Sequence, residues 1–206
     1  MDNTVFTRTF SLPPCNRDEI LRYCGIKPGS DSGETETLKG VIKRLVEQAC
    51  PKLSCKACYA TFPVKTCENE VDVGFAKVIS RDLAGHLSGC RFAVVFAATI
   101  GMEFDRLLAR KSAVLPSEAL VMQAIGAERI ESLCDTFERE IVGNTNIIAQ
   151  RFSPGYGDLP LEFQRDIFTA LGCSKRIGLM LGESFIMSPS KSVTAIIGVG
   201  NDLQHI

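Results

Sequence analysis

The segment Arg151-Phe152-Ser153-Pro154-Gly155-Tyr156 combines groups that could bind a small polar ligand. Arg151 offers a fixed positive charge and a planar set of donors that suits a carboxylate. Ser153 supplies a hydroxyl and backbone groups, and Pro154-Gly155 predicts a turn in which glycine lets the backbone approach a ligand closely. Tyr156 adds a flat face and a hydroxyl. A zwitterionic amino acid attached to a purine would use all of these groups, as would other carboxylate ligands. The alternative is a surface turn with an exposed arginine and a packed tyrosine.

The elements that would position this segment are predicted from periodicity and capping residues. The run from Arg91 to Ile100 is the most apolar strand, which predicts a central place in its sheet. Pro116 opens the longest helix, which extends to about Glu140, with an apolar stripe that includes Leu120. The other predicted strands are 5–10, 58–64, 71–79, 177–186 and 192–199, and the other predicted helices are 17–23, 34–48, 80–87, 103–109 and 161–171.

These strands and helices follow one another without regular alternation, which favours an α+β fold over a doubly wound one. The 206 residues suffice for one full-sized core. We therefore predict one domain over residues 1–206. Its N-terminal part, 1–50, is predicted to be helical, and residues 51–206 are predicted to form the α+β core that carries the ligand groove.

Charge and hydropathy exclude several classes of protein. The formal net charge is −1, which gives no electrostatic footprint for nucleic acid. No apolar run approaches the roughly 20 residues that span a bilayer. The chain starts with Met1-Asp2-Asn3-Thr4, without the basic and apolar regions of a signal peptide. The expected location is therefore the cytoplasm, with neither nucleic acid nor membrane as a partner.

Nine cysteines suggest a second kind of site. Cys50, Cys55 and Cys58, with Cys67 nearby, have the spacing of a plant-type iron–sulfur loop. However, Cys50 falls at a predicted helix end, while Cys55 and Cys58 fall at the start of a strand, where an odd separation turns side chains to opposite faces. The favoured interpretation is therefore small buried apolar residues without a metal.

The second half of the chain resembles a known family. The family pattern is R-x-x-P-G-Y, then a proline, a helix and an ESF-x-M-x-P-x-x-S-V stretch. This chain matches it with RFSPGYGDLPLEFQRDIF and IGLMLGESFIMSPSKSVTAII. VFAATIGMEFD resembles the family's central strand and glycine turn, and AIGAERIESLCDTF resembles its long helix. The family is the C-terminal activation domain of cobalamin-dependent methionine synthase, and the resemblance covers roughly residues 91 to 199.

The resemblance implies a bent, mixed or antiparallel sheet flanked by helices, with S-adenosylmethionine bound along a shallow groove. Arg151 would meet the ligand's carboxylate, while Ser153, Pro154 and Gly155 would lie on its adenine side and Tyr156 would shape the groove. Glu131 matches an acidic position of the long helix near the groove, where a carboxylate suits a sulfonium. The cobalamin would be carried by a separate corrinoid protein, either a methionine synthase or a corrinoid methyltransferase. A flavodoxin-like donor would supply electrons.

Three departures from the family pattern bear on this expectation. The family's C-terminal tyrosine pair falls at His205 and Ile206. The neutral Thr145-Asn146 pair replaces an acidic residue ahead of the arginine. An N-terminal aspartate of the family has no evident counterpart here. Each departure favours weaker binding of the amino-acid end. The departures therefore favour one alternative, a docking subunit for a corrinoid protein that has lost the ligand. A redox protein built on the cysteines is the other alternative.

Overall fold

The computed structural model describes residues 4–27, 32–143 and 147–200. The strands are β1 (Phe6–Thr9), β2 (Lys56–Pro63), β3 (Lys65–Cys67), β4 (Glu70–Asp72), β5 (Lys77–Ile79), β6 (Phe92–Thr99), β7 (Ile147–Phe152), β8 (Met180–Leu181), β9 (Met187–Ser188) and β10 (Ser192–Val199). The helices are α1 (Arg17–Tyr23), α2 (Gly33–Ala49), α3 (Arg81–His86), α4 (Met102–Val114), α5 (Pro116–Phe137), α6 (Gln164–Leu171) and α7 (Cys173–Ile177). Short 3-10 turns follow α2 and precede α6, and a π-helical turn, Glu138–Val142, extends α5.

Polar side chains start three of the helices where the sequence predicts or allows a cap. The Asn16 side chain accepts a hydrogen bond from the Glu19 backbone N–H at 3.2 Å, and α1 begins at the next residue. The hydroxyl of Ser80 accepts from the Leu83 N–H at 3.0 Å and starts α3 in the same way. Ser32 does so for α2. These caps satisfy N–H groups that a helix start leaves without partners.

One five-stranded sheet organises the molecule, in the order β1-β2-β6-β10-β7. Every neighbouring pair in it is antiparallel. The strand predicted to be central, β6, is the middle strand, and seven of its eight residues are buried. The α+β class with an antiparallel sheet and flanking helices is therefore confirmed. No helix in the described ranges is long and apolar enough to cross a bilayer.

Side chains of β6 alternate between two apolar layers. Val94, Phe96 and Ala98 pack with α1, α2 and α5 on one face, whereas Ala93, Val95 and Ala97 pack with α3, α6 and α7 on the other. This period of two is the geometry of a strand covered on both faces. The first 50 residues supply an edge strand and two helices to this arrangement.

Several predicted boundaries are wrong, for local reasons. The single strand expected over 71–79 is two strands of a small meander, β3-β4-β5. The continuous strand expected over 177–186 does not form, because α7 extends to Ile177 and only the two-residue strands β8 and β9 lie between α7 and β10. Leu120 is 73% exposed. It precedes the buried Val121 by one residue, which rotates it about 100° off the apolar stripe of α5.

Candidate functional site

Arg151 lies in β7 rather than in a loop, and its side chain reaches the long helix α5. Its Nη2 atom is 3.0 Å from a carboxylate oxygen of Asp135 and 3.4 Å from one of Glu131. Its Nε atom is 3.1 Å from Glu138, in the π-helical turn. The structure therefore brings together Arg151 and Glu131, two of the predicted site residues, which are 20 residues apart in sequence.

The three carboxylates outnumber the guanidinium, so the cluster carries a formal charge of −2 (one positive and three negative groups). Glu131 and Asp135 are 49% and 64% exposed, whereas Arg151 is 26% exposed. Burial raises the pKa of Glu138, and Arg151 only partly offsets that effect. Burial by itself would lower the pKa of Arg151. The electrostatic interactions with Cys134, and then with the three carboxylates, outweigh burial, so the pKa of Arg151 is raised. Arg151 is therefore held as a cation in a cluster of negative sign.

Part of this cluster lacks hydrogen-bond partners. Arg151 Nη1 and Glu138 Oε1 are buried, and neither has a hydrogen-bond partner among the described residues. The contact between Glu138 and the Arg151 Nε atom is an ion pair at 3.1 Å without hydrogen-bond geometry. A buried donor of a charged group without a hydrogen bond is costly. It marks this guanidinium as a group whose bonding capacity the described residues do not fill.

The predicted turn follows directly after β7. The Tyr156 N–H donates to the Ser153 carbonyl at 3.1 Å, and the Gly155 N–H donates to the Leu159 carbonyl at 2.9 Å. Gly155 has a φ of 86°, a left-handed conformation that glycine adopts at little cost. Pro154 is buried beneath the turn. The prediction of a glycine turn at this place is confirmed.

The far side of the turn is anchored to α3. The carboxylate of Asp158 accepts from the hydroxyl of Ser80 and from the backbone N–H of Arg81 at 2.8 Å. The Asp158 N–H in turn donates to Asp82 at 3.2 Å. The bond from Ser80 and these backbone bonds hold the pKa of Asp158 below its usual range. Asp158 thus fixes the turn against a helix.

Aromatic side chains flank the turn. Tyr156 is 70% exposed, and its ring meets the edge of the buried Phe152 ring, with centroids 5.4 Å apart. The His86 ring lies 4.9 Å from Phe152, and its Nε2 atom is 2.7 Å from the Gln150 carbonyl oxygen. Phe152 therefore packs against both His86 and Tyr156, while most of the Tyr156 side chain is exposed to solvent.

Three residues near this site were missed in the sequence. Asp135 and Glu138 follow Glu131 at i+4 and i+7, a spacing that puts all three on one side of a helix and could have revealed them. Tyr23, at the end of α1, is 39% exposed. Burial raises its pKa, and so does the charge of Glu131, which places Tyr23 beside the acidic cluster. No motif in the sequence indicates that Tyr23 lies here.

The four cysteines of the proposed iron–sulfur loop are not brought together. Cys55 and Cys58 belong to opposite faces of the central sheet, as expected for an odd separation in a strand. Cys67 is exposed on β3, and Cys50 lies next to Cys15 instead. Within the described ranges, no group of three or more His, Cys, Asp or Glu side chains could hold a metal ion.

Some of the predicted departures fall outside the described residues. These are His205, Ile206 and the Thr145-Asn146 pair. The structure therefore does not test what those positions contribute to the site.

Comparison with known proteins supplies the context for this geometry. No family model matches the sequence, and no curated protein matches it. Thirteen chains of solved structures do match. One is the crystal structure of the MetH reactivation domain bound to AdoHcy, with a TM-score of 0.73 and 16% identity over 98% of this chain and 82% of that chain. The chain has the fold of that reactivation domain. At this identity the likeness concerns the fold alone.

Proposed function

We propose that this protein binds S-adenosylmethionine between the Ser153–Tyr156 turn and the acidic side of α5. There it supports reductive remethylation of a cobalamin carried by a separate methionine synthase or corrinoid methyltransferase. One observation carries the proposal. Arg151 of the predicted turn segment and Glu131, the helix position predicted to lie near the groove, are 3.4 Å apart in a chain whose fold matches a domain solved with AdoHcy.

The charges of the cluster are complementary to the proposed ligand. The methionine part of S-adenosylmethionine carries an ammonium, a sulfonium and a carboxylate, a net charge of +1. The exposed carboxylates of Glu131 and Asp135 suit the two cationic groups, and Arg151 suits the carboxylate. A site of charge −2 thus favours the sulfonium form over its neutral thioether product. The exposed ring of Tyr156 and the backbone of the turn would face the adenine.

The chemistry requires positioning rather than acid–base groups. The methyl group passes from the sulfonium to the cobalamin on the partner, and the sulfur retains its bonding electron pair to become a thioether. Because the sulfonium is already activated, the residues of this chain have only to orient the ligand with its methyl group outward. A flavodoxin-like protein is proposed as the electron donor that reduces the cobalamin before this step.

One feature of the structure favours the second candidate, a docking subunit without a ligand. Arg151 already contacts three carboxylates of its own chain through Nη2 and Nε, so a ligand carboxylate would compete with them for the guanidinium. The two candidates differ in whether S-adenosylmethionine binds and whether recovery of a corrinoid protein depends on it.

Titration calorimetry with S-adenosylmethionine and S-adenosylhomocysteine tests the proposal. Arg151→Ala should weaken binding at least about tenfold, because it removes a charged hydrogen-bond donor. Arg106→Ala is the matched control, since that exposed arginine only pairs with Glu103 on α4. Absence of binding by the wild type, even with a corrinoid protein present, would overturn the proposal. Recovery of a corrinoid protein without any methyl donor would then support the docking subunit.

A further inference from the structure

A second polar site lies at the C-terminal end of α2, where two thiols meet. Cys15 is in the segment between β1 and α1, and Cys50 is the residue after α2. Their sulfur atoms are 3.4 Å apart, and both residues are only partly buried. The residues are 35 positions apart, so the contact depends on the tertiary fold.

The two thiols line a cavity of about 700 Å³. Pro13, Pro14, Cys55 and Arg129 are also part of its lining. A volume in this range is typical of small-molecule sites. The cavity gives a small reagent access to both sulfur atoms, which a pair enclosed in the core would lack.

A buried ion pair fixes the segment that carries Cys15. Arg129 and Glu128 are 3% and 4% exposed and bind each other. Arg129 Nη1 donates to the Pro13 carbonyl at 2.7 Å, and Glu128 accepts from the Asn16 N–H at 3.0 Å. Because both flanks of Cys15 are tied to α5, its thiol is held against Cys50.

The hydrogen bond between the two thiols makes their sulfur atoms unequal. The hydrogen bond from Cys15 lowers the pKa of Cys50 to about 7, with burial and Glu128 opposing and Arg129 assisting. The same contact, with burial, raises the pKa of Cys15. Cys55, also in the cavity wall, has its pKa raised to about 11 by burial. Cys50 is therefore the group suited to be a thiolate near neutral pH, and Cys15 is its donor.

We propose that Cys50 and Cys15 form a thiol–disulfide exchange site that takes a low-molecular-weight disulfide from this cavity. The Cys50 thiolate attacks one sulfur of the disulfide RSSR, which forms a mixed disulfide and releases RS⁻. The Cys15 sulfur, after losing its proton, then attacks the Cys50 sulfur and releases the second RS⁻. The protein loses two hydrogen atoms and becomes the Cys15–Cys50 disulfide, and RSSR is reduced to two RSH.

Cys58 and Cys173 provide an internal contrast. Their sulfur atoms also come close, at 3.9 Å, but both residues are fully buried in the apolar layer between the sheet and helices α6 and α7. Proximity is therefore common to both pairs, whereas access to a cavity belongs to the Cys15–Cys50 pair. The proposal predicts reaction at the accessible pair and none at the enclosed one.

The test uses the reduced full-length chain and glutathione disulfide as the probe. Mass spectrometry of the intact protein and its peptides should show a disulfide between Cys15 and Cys50. The rate at which this disulfide forms should rise as pH increases through about 7, the pKa of Cys50. Cys15→Ser should retain glutathione on Cys50, and Cys50→Ser should abolish the bridge. Cys67→Ser is a useful background, because Cys67 is exposed and would react by itself.

Two outcomes would overturn the proposal. One is glutathione on Cys67 alone, with Cys15 and Cys50 still reduced in the folded wild type. The other is bridging that appears only when denaturant also makes Cys58 and Cys173 react. Because the wild-type result needs no variant to fold, the test remains decisive if Cys15→Ser is unstable. It is also independent of whether S-adenosylmethionine binds.

Discussion

Asp135 on α5 and Arg151 on β7 face each other across 3.0 Å at the boundary between helix and sheet. Glu131 lies one turn earlier on the same helix, 3.4 Å from the same nitrogen. Both carboxylates are about half exposed or more, whereas the arginine is mostly covered. A ligand would therefore contact the carboxylates of Glu131 and Asp135 before it reaches the guanidinium of Arg151. The first prediction tests the contribution of Glu131.

Glu131→Gln should weaken S-adenosylmethionine binding about two- to fivefold, the range of an exposed ion pair. S-adenosylhomocysteine should be affected less, because its thioether carries no charge for Glu131 to stabilise. The ratio of the two dissociation constants, measured by calorimetry at low salt, is the readout. Glu103→Gln on α4 serves as the control, and an equal loss for both ligands would contradict a role of Glu131 at the sulfonium.

Tyr156→Ala should separate ligand binding from stability. The side chain is 70% exposed and makes one edge contact with Phe152, so unfolding free energy should fall by no more than about 1 kcal/mol. Binding of S-adenosylmethionine should weaken by about tenfold through loss of a stacking face. Calorimetry and denaturant unfolding measure the two effects.

Phe152→Ala is the counterpart of that experiment, because Phe152 is buried in the layer beneath the sheet. It should cost about 3–5 kcal/mol of unfolding free energy. If Tyr156→Ala destabilised the protein to the same extent, Tyr156 would be a packing residue and its role in the groove would be rejected.

The parts of the site that the sequence predicted are those governed by local rules. The glycine turn at Gly155 and the uninterrupted apolar strand β6 depend on short-range chemistry or simple periodicity. The start and extent of α5 depend on its proline and its helical repeat. These elements were predicted within a few residues.

The parts that were missed depend on contacts distant in sequence. Ile147–Phe152 contains Gln150 and Arg151, which break the apolar pattern of a strand, and it forms β7 only by pairing with β10. The engagement of Arg151 by three carboxylates could not be predicted without that pairing. Likewise, the meeting of Cys15 with Cys50 requires β1, α2 and α5 to be assembled first.

Gly157→Ala should destabilise the turn. Gly157 has a φ of 56°, and a Cβ atom there would collide with the carboxylate of Asp82, which helps to anchor Asp158. We expect a loss of about 1–3 kcal/mol in unfolding free energy, together with weaker ligand binding. Gly40→Ala is the matched control, because its position in α2 is open. That change should stabilise the protein by about 0.5–1 kcal/mol, and a neutral result for Gly157→Ala would show that the turn is not rigid.

Glu118 should control the acid stability of the α4–α5 corner. It bridges Arg44 at 2.6 Å and Lys111 at 2.7 Å, and its side chain is 13% exposed. The hydrogen bonds from Arg44 and then Lys111 lower the pKa of Glu118 from 4.5 to about 2. A carboxyl whose folded pKa is depressed contributes stability above its unfolded pKa and loses that contribution as pH falls towards the folded value.

The melting temperature of the wild type should therefore fall between about pH 4.5 and about pH 2, and Glu118→Gln should flatten part of that decline. At neutral pH the variant should melt below the wild type, and the difference should shrink in acid. Glu36→Gln, which removes an exposed partner of Lys39 on α2, is the control and should alter the profile less. Parallel wild-type and Glu118→Gln profiles across that range would show that the bridge has no part in acid stability.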